Sequence, residues 1–371
     1  MGKTEMTVGS KEKPSEKITS LQGVRAMAFL GIFSSHVGLS QLGPWGVSVF
    51  LILSGFLLAY TGYDKAWDQS LGGCAKFSVQ KIRKLYPLHV LTLLVALVVE
   101  LWPMLATHVW KDIAILGGKA FLNAALLHAW VPSAEVYFSL NGVSWYLSVC
   151  LFLYFVFPFV MKRIKGAAPK KLVMVAILVY LAQVVVAVLT RPVEIPHWRF
   201  YGFQKWLTYI CPLFRLGDLV IGACVGCMFV RLKNVKFEMK RMMATILEVV
   251  VILLVMVSQF LFVRQVRYFG TEWFRYSMLF VPTSVCLVLL AAQGSGWISK
   301  VMCLKPLVYL GNLSGYAFLI HTVVIVVIGP LFSFLPVIVR AVILLAITII
   351  LSQCYAMFAV RGKNKQKSEA N

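Results

Sequence analysis

Long apolar runs alternate with short polar segments over most of the chain. A run of about 20 apolar residues can cross a bilayer as an α-helix, because a helix pairs its backbone groups internally. Ten such runs cover about residues 22–41, 44–63, 86–107, 142–161, 172–190, 208–230, 243–263, 276–293, 307–328 and 337–359. The pattern predicts an all-α, polytopic membrane protein with about ten transmembrane helices.

The composition narrows the class further. Of the 371 residues, 60% are hydrophobic and 13% are charged. An ordinary soluble domain has about 45–50% apolar and about 25% charged residues. A water-soluble protein of this size could not bury so much apolar surface. The composition therefore excludes a soluble enzyme, a disordered chain and a fibrous repeat.

Basic residues are concentrated in particular segments. The chain has 36 Lys and Arg against 14 Asp and Glu, a net charge of +22. Cytoplasmic loops of membrane proteins carry such an excess. Every second connection is basic, and so are both ends, with the largest clusters in 1–20, 64–85, 162–171, 231–241 and 361–371. We therefore expect both termini in the cytosol and no nucleic-acid partner.

The expected organisation is one transmembrane domain between two short tails. It runs over 21–360, with a cytosolic N-terminal tail at 1–20 and a cytosolic C-terminal tail at 361–371. Residues 1–20 are polar and lack an apolar core, so no cleavable signal peptide is expected. Neither tail exceeds about 20 residues, so no soluble domain is expected.

Segment 112–131 complicates the count, because it is apolar enough to be an eleventh span. Counting it would reverse the side of every later connection and put the basic loops outside. We therefore expect a helix that lies at the outer surface or dips back into the membrane.

The eight cysteines do not form a disulfide framework, because most lie within apolar runs. Cys224 and Cys227 form a single CxxC sequence with no second pair. Gly222 and Gly226 beside them have the GxxxG spacing that lets membrane helices approach closely. This segment is expected to pack helices, and no metal site is predicted.

Ionisable residues within spans are costly to bury and usually face the interior of the bundle. Arg25 and His36 both lie in the first span, eleven residues apart. Eleven residues turn a helix by about 1100°, so both side chains lie within about 20° of one face and about 16 Å apart along the axis. This placement favours a joint role, although Arg25 could simply extend to the headgroups and His36 could be a packing residue.

Three further sites place polar groups inside spans. For each, the alternative is structural: a packing histidine, an ion pair, or close helix packing beside a glycine. They are His321 in the ninth span, with Ser314 seven residues earlier on its face; Arg215 and Asp218, one turn apart in the sixth; and Ser54 in the second.

Six short motifs follow one another along the chain. The clearest is Arg25 followed by His36 within segment 18–36. The others are 46–56, which includes Ser54; the basic segment 81–87; 145–158, which begins Trp145-Tyr-Leu-Ser148; 213–222, which includes Arg215; and 310–321, which ends at His321. In this order, over about residues 18–350, they resemble the acyltransferase 3 family of integral membrane O-acyltransferases.

The resemblance implies transfer of an acyl group, usually acetyl, from cytosolic acyl-CoA to a hydroxyl of an extracytoplasmic or lipid-linked glycan. Acetyl-CoA or another acyl-CoA would be the co-substrate, and no metal is expected. The implied partners are acyl-CoA, a carbohydrate or lipid-linked glycan acceptor and membrane lipids. The implied location is the bacterial plasma membrane.

Under this hypothesis the site residues divide by role. His36 is the catalytic residue, either as general base or as transient acyl carrier, because a near-neutral imidazole suits proton transfer from a hydroxyl. Ser54, Arg215 and His321 would support the reaction or stabilise the oxyanion. The CoA phosphates would bind the cationic groups of Arg25, Lys81, Arg83 and Lys84. Trp145 and Ser148 belong to the acceptor side.

Two consecutive positions depart from the family pattern. Many members carry paired glutamates after the Trp-x-Leu-Ser stretch, where this chain has Cys150 and Leu151. If those glutamates perform acid–base chemistry, this chain performs it with other groups.

Two other functions fit ten spans with buried charges. One is a transporter or glycan flippase without chemistry of its own, and the other is a non-catalytic membrane scaffold. Transporters often contain internal repeats or helices broken at matched positions, and neither is visible in the sequence. A scaffold would leave the buried Arg25 and His36 unexplained. Acyl transfer is the favoured hypothesis.

Overall fold

The structure, a computed structural model, describes residues 17–107, 109–190, 202–234, 239–268 and 275–369. Within these residues all regular secondary structure is helical. The helices are α1 (Ser20–His36), α2 (Gly43–Thr61), α3 (Leu71–Ile82), α4 (Tyr86–Thr107), α5 (Trp110–Ala124), α6 (Ala134–Tyr137), α7 (Trp145–Ile164), α8 (Pro169–Leu189), α9 (Phe203–Lys205), α10 (Pro212–Asn234), α11 (Arg241–Tyr268), α12 (Ser277–Gln293), α13 (Trp297–Met302), α14 (Lys305–Val327) and α15 (Val337–Glu369).

Ten of these helices correspond to the ten predicted spans. In the described part of the chain, eight segments are at least 18 residues long and apolar enough to cross a membrane. Seven of them are the single helices α2, α4, α7, α8, α11, α14 and α15, and the eighth is the continuous segment Phe203–Lys233 formed by α9 and α10. The other two, α1 and α12, have 17 residues each. The predicted all-α polytopic fold is confirmed.

The basic connections meet at one end of the bundle, which we call the basic end. The Lys165 ammonium donates to the Lys65 carbonyl (Nζ–O 3.1 Å), and the Arg231 guanidinium donates to the Gly166 carbonyl (2.7 Å). These bonds join the α2–α3, α7–α8 and α10–α11 connections, as the alternation of basic segments requires. The cytosolic location of this end stays a prediction.

The two predicted tails are only partly covered. Residues 1–16 and 370–371 lie outside the described residues. The segment 361–369, expected as a tail, continues helix α15 to Glu369. An apolar helix entering a basic, polar segment can continue into it, because Lys, Gln and Glu are good helix formers.

The segment around 112–131 contains α5, which turns back along α4. The Tyr86 hydroxyl, at the first residue of α4, donates to the Ala124 carbonyl at the last residue of α5 (2.9 Å). The chain then returns, because the Leu140 amide donates to the Glu100 carboxylate in the second half of α4 (3.2 Å). Helix α5 therefore runs antiparallel to α4, and its position relative to the membrane stays a prediction.

Helix α2 lies at the centre, and its contact with α10 is close. A methyl group at Gly222 would overlap the Ile52 carbonyl oxygen, and one at Gly226 would overlap that of Phe56. On the facing helix, Gly55 has the same relation to the Leu219 carbonyl. The predicted helix-packing role of the GxxxG pair is therefore confirmed. All eight cysteines are free.

Candidate active site

Two histidines from different helices form a hydrogen-bonded pair. His36 is the last residue of α1, His321 lies on α14, and His36 Nδ1 is 2.8 Å from His321 Nε2. Their rings are stacked, with centroids 5.0 Å apart. His321 is fully buried, whereas His36 is exposed. The pair therefore has one enclosed member and one accessible member.

The hydrogen bonds of this pair assign the tautomers of the neutral rings. His321 Nδ1 lies 3.1 Å from the Ala317 carbonyl oxygen, which can only accept, so Nδ1 carries the proton. His321 Nε2 is then an acceptor, and His36 Nδ1 must be the donor between them. His36 Nε2 is consequently unprotonated, with a lone pair that can take a proton.

His36 lines a cavity of about 660 Å³ near the end of the bundle opposite the basic end, which we call the opposite-side cavity. Its walls include the aromatic side chains of Trp145, Tyr209 and Tyr276. The rings of Trp145 and Tyr209 are 5.1 Å apart and those of Tyr209 and Tyr276 are 4.6 Å apart, so they form a continuous row. An accessible imidazole thus faces a large, aromatic-walled cavity.

A second cavity, of about 230 Å³, lies towards the basic end, and we call it the basic-side cavity. Its lining is largely apolar. The polar side chains that reach it are those of Arg25, Ser54, Lys81, Tyr146, Cys150, Tyr154 and Ser314. A narrow apolar cavity with a few polar groups and a cationic rim has the chemistry needed for a long molecule with an anionic head.

Helices α1 and α14 contact each other through two pairs of polar side chains, one on the side of each cavity. The Arg25 guanidinium donates from Nε to the Ser314 hydroxyl (3.3 Å) on the basic side, and the two histidines meet on the opposite side. The sequence predicted Arg25 and His36 on one face of α1, and Ser314 and His321 on one face of α14. Sequence spacing alone could not show that these two faces meet.

The four cationic residues that the sequence predicts to bind the acyl donor do not all line the same cavity. Lys81 lines the basic-side cavity, and its ammonium lies 5.3 Å from the centre of the Phe77 ring. The Lys84 ammonium lies 5.1 Å from that of Tyr316. Arg83 is exposed and lines neither cavity. Lys81 and Arg25 are therefore the two cations at the basic-side cavity itself.

The two lysines are easier to deprotonate than ordinary lysines. Partial burial lowers the pKa of Lys81, and the positive charge of Lys65 lowers it further. Burial likewise lowers the pKa of Lys84, with a second contribution from Arg25. An anionic ligand would oppose both effects, because it would stabilise the ammonium forms.

Arg215 lies in a separate cluster that lines neither cavity. Its guanidinium forms an ion pair with Asp218 (3.0 Å) and also contacts the Ser277 hydroxyl. The Gln183 amide donates to the other Asp218 oxygen (2.9 Å), and all four residues are buried. The structure does not bring Arg215 to His36, so its surroundings are those of a buried ion pair.

Three other predicted residues have distinct surroundings. Trp145 lines the opposite-side cavity. The Ser148 hydroxyl, one turn later, donates to the Leu126 carbonyl and lines neither cavity. Ser54 lines the basic-side cavity, but its hydroxyl donates to the Phe50 carbonyl (2.7 Å). The Ser54 proton is therefore already engaged and is unavailable to an oxyanion in this arrangement.

Sequence reasoning did not single out Tyr146, Tyr154 or Phe318, although all three line the basic-side cavity. Aromatic residues are common in every span, so no residue type marks these three. Cys150, noted as a departure from the family pattern, lines the same cavity. Among the described residues, no three His, Cys, Asp or Glu side chains gather as metal ligands would.

Comparisons with known proteins find named acyltransferases among the relatives of this chain. The chain is 25% identical to the peptidoglycan O-acetyltransferase OatA of Listeria monocytogenes serovar 1/2a over 356 residues, which are 91% of this chain and 54% of the relative. It is 30% identical to the acyltransferase MdmB of Streptomyces mycarofaciens over 158 residues, 38% of each chain. The chain thus spans about half or less of the length of these relatives.

No solved structure matches the chain. The profile of the family described as "Acyltransferase domain" matches residues 18–357 and therefore includes both cavities and the histidine pair. With a match over nearly the whole sequence, the chain belongs to the acyltransferase 3 family.

Proposed function

We propose that this protein is a membrane O-acyltransferase that moves an acyl group, most simply acetyl, from acyl-CoA to a hydroxyl of a cell-envelope carbohydrate. The observation that carries the proposal is that His36, paired with His321, lines one of two cavities that approach each other from opposite ends of the bundle. Each substrate would then enter from its own side, and the bacterial plasma membrane would separate them.

Acyl-CoA is proposed to enter from the basic end. Its phosphates would bind the ammonium groups of Lys81 and Lys84 at the rim, by charge-assisted hydrogen bonds. Its extended, uncharged arm suits the apolar walls of the basic-side cavity. Arg25, farther along this cavity, would bind a polar group of the arm or a phosphate. The thioester would then point towards the histidine pair.

The proposed chemistry uses His36 as the general base. Its unprotonated Nε2 removes the proton of the acceptor hydroxyl as the oxygen attacks the thioester carbonyl. The new C–O bond forms, the C–S bond breaks, and the imidazolium returns its proton to the departing thiolate. His321 stabilises the imidazolium, because its Nε2 accepts the hydrogen bond from His36 Nδ1. His321 is thus a positioning residue.

The acceptor is proposed to lie in the opposite-side cavity. Its aromatic row of Trp145, Tyr209 and Tyr276 offers flat apolar faces of the kind on which the C–H faces of sugar rings pack. The relative OatA is named a peptidoglycan O-acetyltransferase, which supports an acetylated glycan of the cell envelope.

The test uses the purified protein in liposomes with labelled acetyl-CoA and a cell-wall glycan fraction as the acceptor probe. Acyl transfer predicts label on the glycan and one free CoA for each acetyl group moved. Mass spectrometry of envelope glycans from cells with and without the protein identifies the product. Transport of glycan that is independent of acyl-CoA, with no labelled product, would instead establish the flippase alternative.

A further inference from the structure

The two cavities are separated by a layer of aromatic rings. Three helices contribute one ring each: Phe50 from α2, Tyr146 from α7 and Phe318 from α14. The Phe318 ring centroid lies 5.3 Å from that of Tyr146 and 6.3 Å from that of Phe50. We call these three side chains the aromatic barrier. Each of the three helices has neighbouring residues that line the cavity on either side of it.

Phe318 has a special position in the barrier. Of the described residues, it alone lines both the basic-side and the opposite-side cavity. It lies between Ser314, which contacts Arg25, and His321, whose ring centroid is 6.0 Å from that of Phe318. Its side chain is only 8% exposed. The ring therefore stands directly on the route between the donor and the histidine pair.

A barrier at this point has a chemical consequence for a thioester. In hydrolysis, water attacks the carbonyl carbon, the C–O bond of acetic acid forms, the C–S bond breaks, and the thiolate takes up a proton. The same base that activates an acceptor hydroxyl would activate water. A closed ring layer would keep the thioester away from the water of the opposite-side cavity until the acceptor is present.

We propose that Phe318 is the gate of this passage, and that it directs the acyl group to the acceptor hydroxyl instead of to water. Cavities on both faces of the ring provide space into which it can rotate. This inference rests on the proposed function for its hydrolytic part. Its structural part, the closure of the passage, can be tested without any acyl donor.

The structural test uses Cys150, which lines the basic-side cavity. A membrane-impermeant cationic methanethiosulfonate is added to one face of oriented liposomes, and the peptide that contains Cys150 is measured by mass spectrometry. In the unmodified protein we expect labelling from the basic end only. In Phe318→Ala we expect labelling from both ends. Phe318→Leu, which retains an apolar side chain without a ring, should give slower labelling from the opposite end.

The matched control is Phe152→Ala, since Phe152 is a partly buried ring on α7 that lines neither cavity. It should leave the labelling of Cys150 unchanged. Cys150→Ser identifies any signal from other cysteines. Equal labelling of the unmodified protein from both ends, or no increase in either Phe318 variant while basic-end labelling is normal, would overturn the proposal.

The hydrolytic test measures acetate release from labelled acetyl-CoA without an acceptor. We expect Phe318→Ala to release acetate about tenfold faster than the unmodified protein, a change of about 1.4 kcal/mol in barrier height. Phe152→Ala should not differ from the unmodified protein. If the unmodified protein transfers no acetyl, the proposed function fails while the labelling result still stands. If it does transfer, and Phe318→Ala gains access but no hydrolysis, Phe318 does not protect the thioester.

Discussion

Two groups of ionisable side chains within the helix bundle differ in their access to cavities. The first is the pair of His36 and His321, whose exposed member faces a large cavity. The second is the cluster around Arg215 and Asp218, which form an ion pair and line neither described cavity. The histidine pair therefore has an open side towards a cavity, whereas the ion pair is enclosed by the surrounding helices.

The comparison shows that a buried charge is not by itself a sign of a reactive site. Both groups are equally conspicuous in the sequence, because both place ionisable residues inside apolar spans. Their difference arises from what the neighbouring helices bring. Gln183 of α8 and Ser277 of α12 complete the hydrogen bonds of Asp218. At the histidine pair, α14 supplies one partner, and the other side of His36 is left open.

The strongest test of the comparison is to remove the accessible imidazole. We expect His36→Asn to lower acyl transfer by about 10²–10⁴-fold, because general-base catalysis contributes about that much. Asparagine retains polarity at the site and leaves a smaller void than alanine. Transfer of labelled acetyl to envelope glycan, normalised to folded protein, gives the measurement.

His321→Asn is the informative companion variant. His321 touches His36 but is fully buried, so its removal should reduce transfer by less than the removal of His36 does. Binding of CoA should persist in both variants. A rate for His36→Asn equal to that of the unmodified protein would exclude His36 as the base.

The next largest effect is expected in the free energy of unfolding, when the Arg215–Asp218 ion pair is broken. Arg215→Met leaves the buried Asp218 carboxylate without its cation, and breaking a buried pair in this way typically destabilises by about 3–5 kcal/mol. Thermal unfolding in detergent measures the change. The double variant Arg215→Met with Asp218→Leu should recover much of the loss, because an apolar pair removes both charges.

Acyl transfer per folded molecule should be unchanged in the double variant, since neither residue lines a cavity. A loss of transfer without a loss of stability would return Arg215 to the catalytic site. It would also mean that lining a cavity does not distinguish the reactive group from the structural one.

Two arginines that the sequence assigned to the same role can now be separated. Arg25 lines the basic-side cavity, whereas Arg83 is exposed outside it. Arg25→Ala should weaken acyl-CoA binding by about 1.5–3 kcal/mol, the usual value of a hydrogen bond to a charged group. This corresponds to about 10–150-fold in Kd.

Arg83→Ala is the matched control, with the same charge change, and should alter the Kd by much less. Calorimetric titration with acetyl-CoA gives both values. If Arg83→Ala weakened binding as much as Arg25→Ala, the donor would extend outside the cavity along α3.

The sequence predicts the helices well and their contacts poorly. Apolar runs long enough to cross a bilayer are a strong local signal, so all ten predicted spans coincide with helices. Sequence spacing also predicts which polar residues share a helix face: Arg25 with His36 on α1, and Ser314 with His321 on α14. That these faces meet depends on the packing of α1 against α14, which leaves no short-range pattern in the chain.

The limits are clearest at Arg215 and Ser148. Both belong to motifs that resemble those of the family, and both were assigned to the reaction on that basis. Arg215 instead contacts Asp218 and Ser277, and the Ser148 hydroxyl donates to the Leu126 carbonyl. Asp218 lies one turn from Arg215 and is visible in the sequence, whereas Ser277 and Leu126 are brought in from other segments of the chain. Phe318 was missed for the opposite reason, because one phenylalanine among 25 carries no distinguishing signal.

The smallest expected effect is a pH dependence of donor binding at the rim. Burial and the nearby Lys65 lower the pKa of Lys81, so its ammonium loses a proton at a lower pH than an ordinary lysine. The charged form exists below that pKa and would bind a CoA phosphate, and the affinity should therefore fall as the pH rises towards and through it. Lys81 is only partly buried and keeps contact with solvent, so the change should be about 0.2–1 kcal/mol, less than about tenfold in Kd.

Desulfo-CoA is the appropriate ligand for this measurement, because it has neither a thioester to hydrolyse nor a thiol to titrate. Lys81→Arg is the matched control, since a guanidinium stays charged over the whole range and should flatten the pH dependence. Lys81→Gln should bind more weakly at pH values below the pKa of Lys81, where the lysine is charged, and show the same flattening. An unchanged pH dependence in both variants would mean that Lys81 does not meet the donor phosphates, and that the cationic rim consists of other residues.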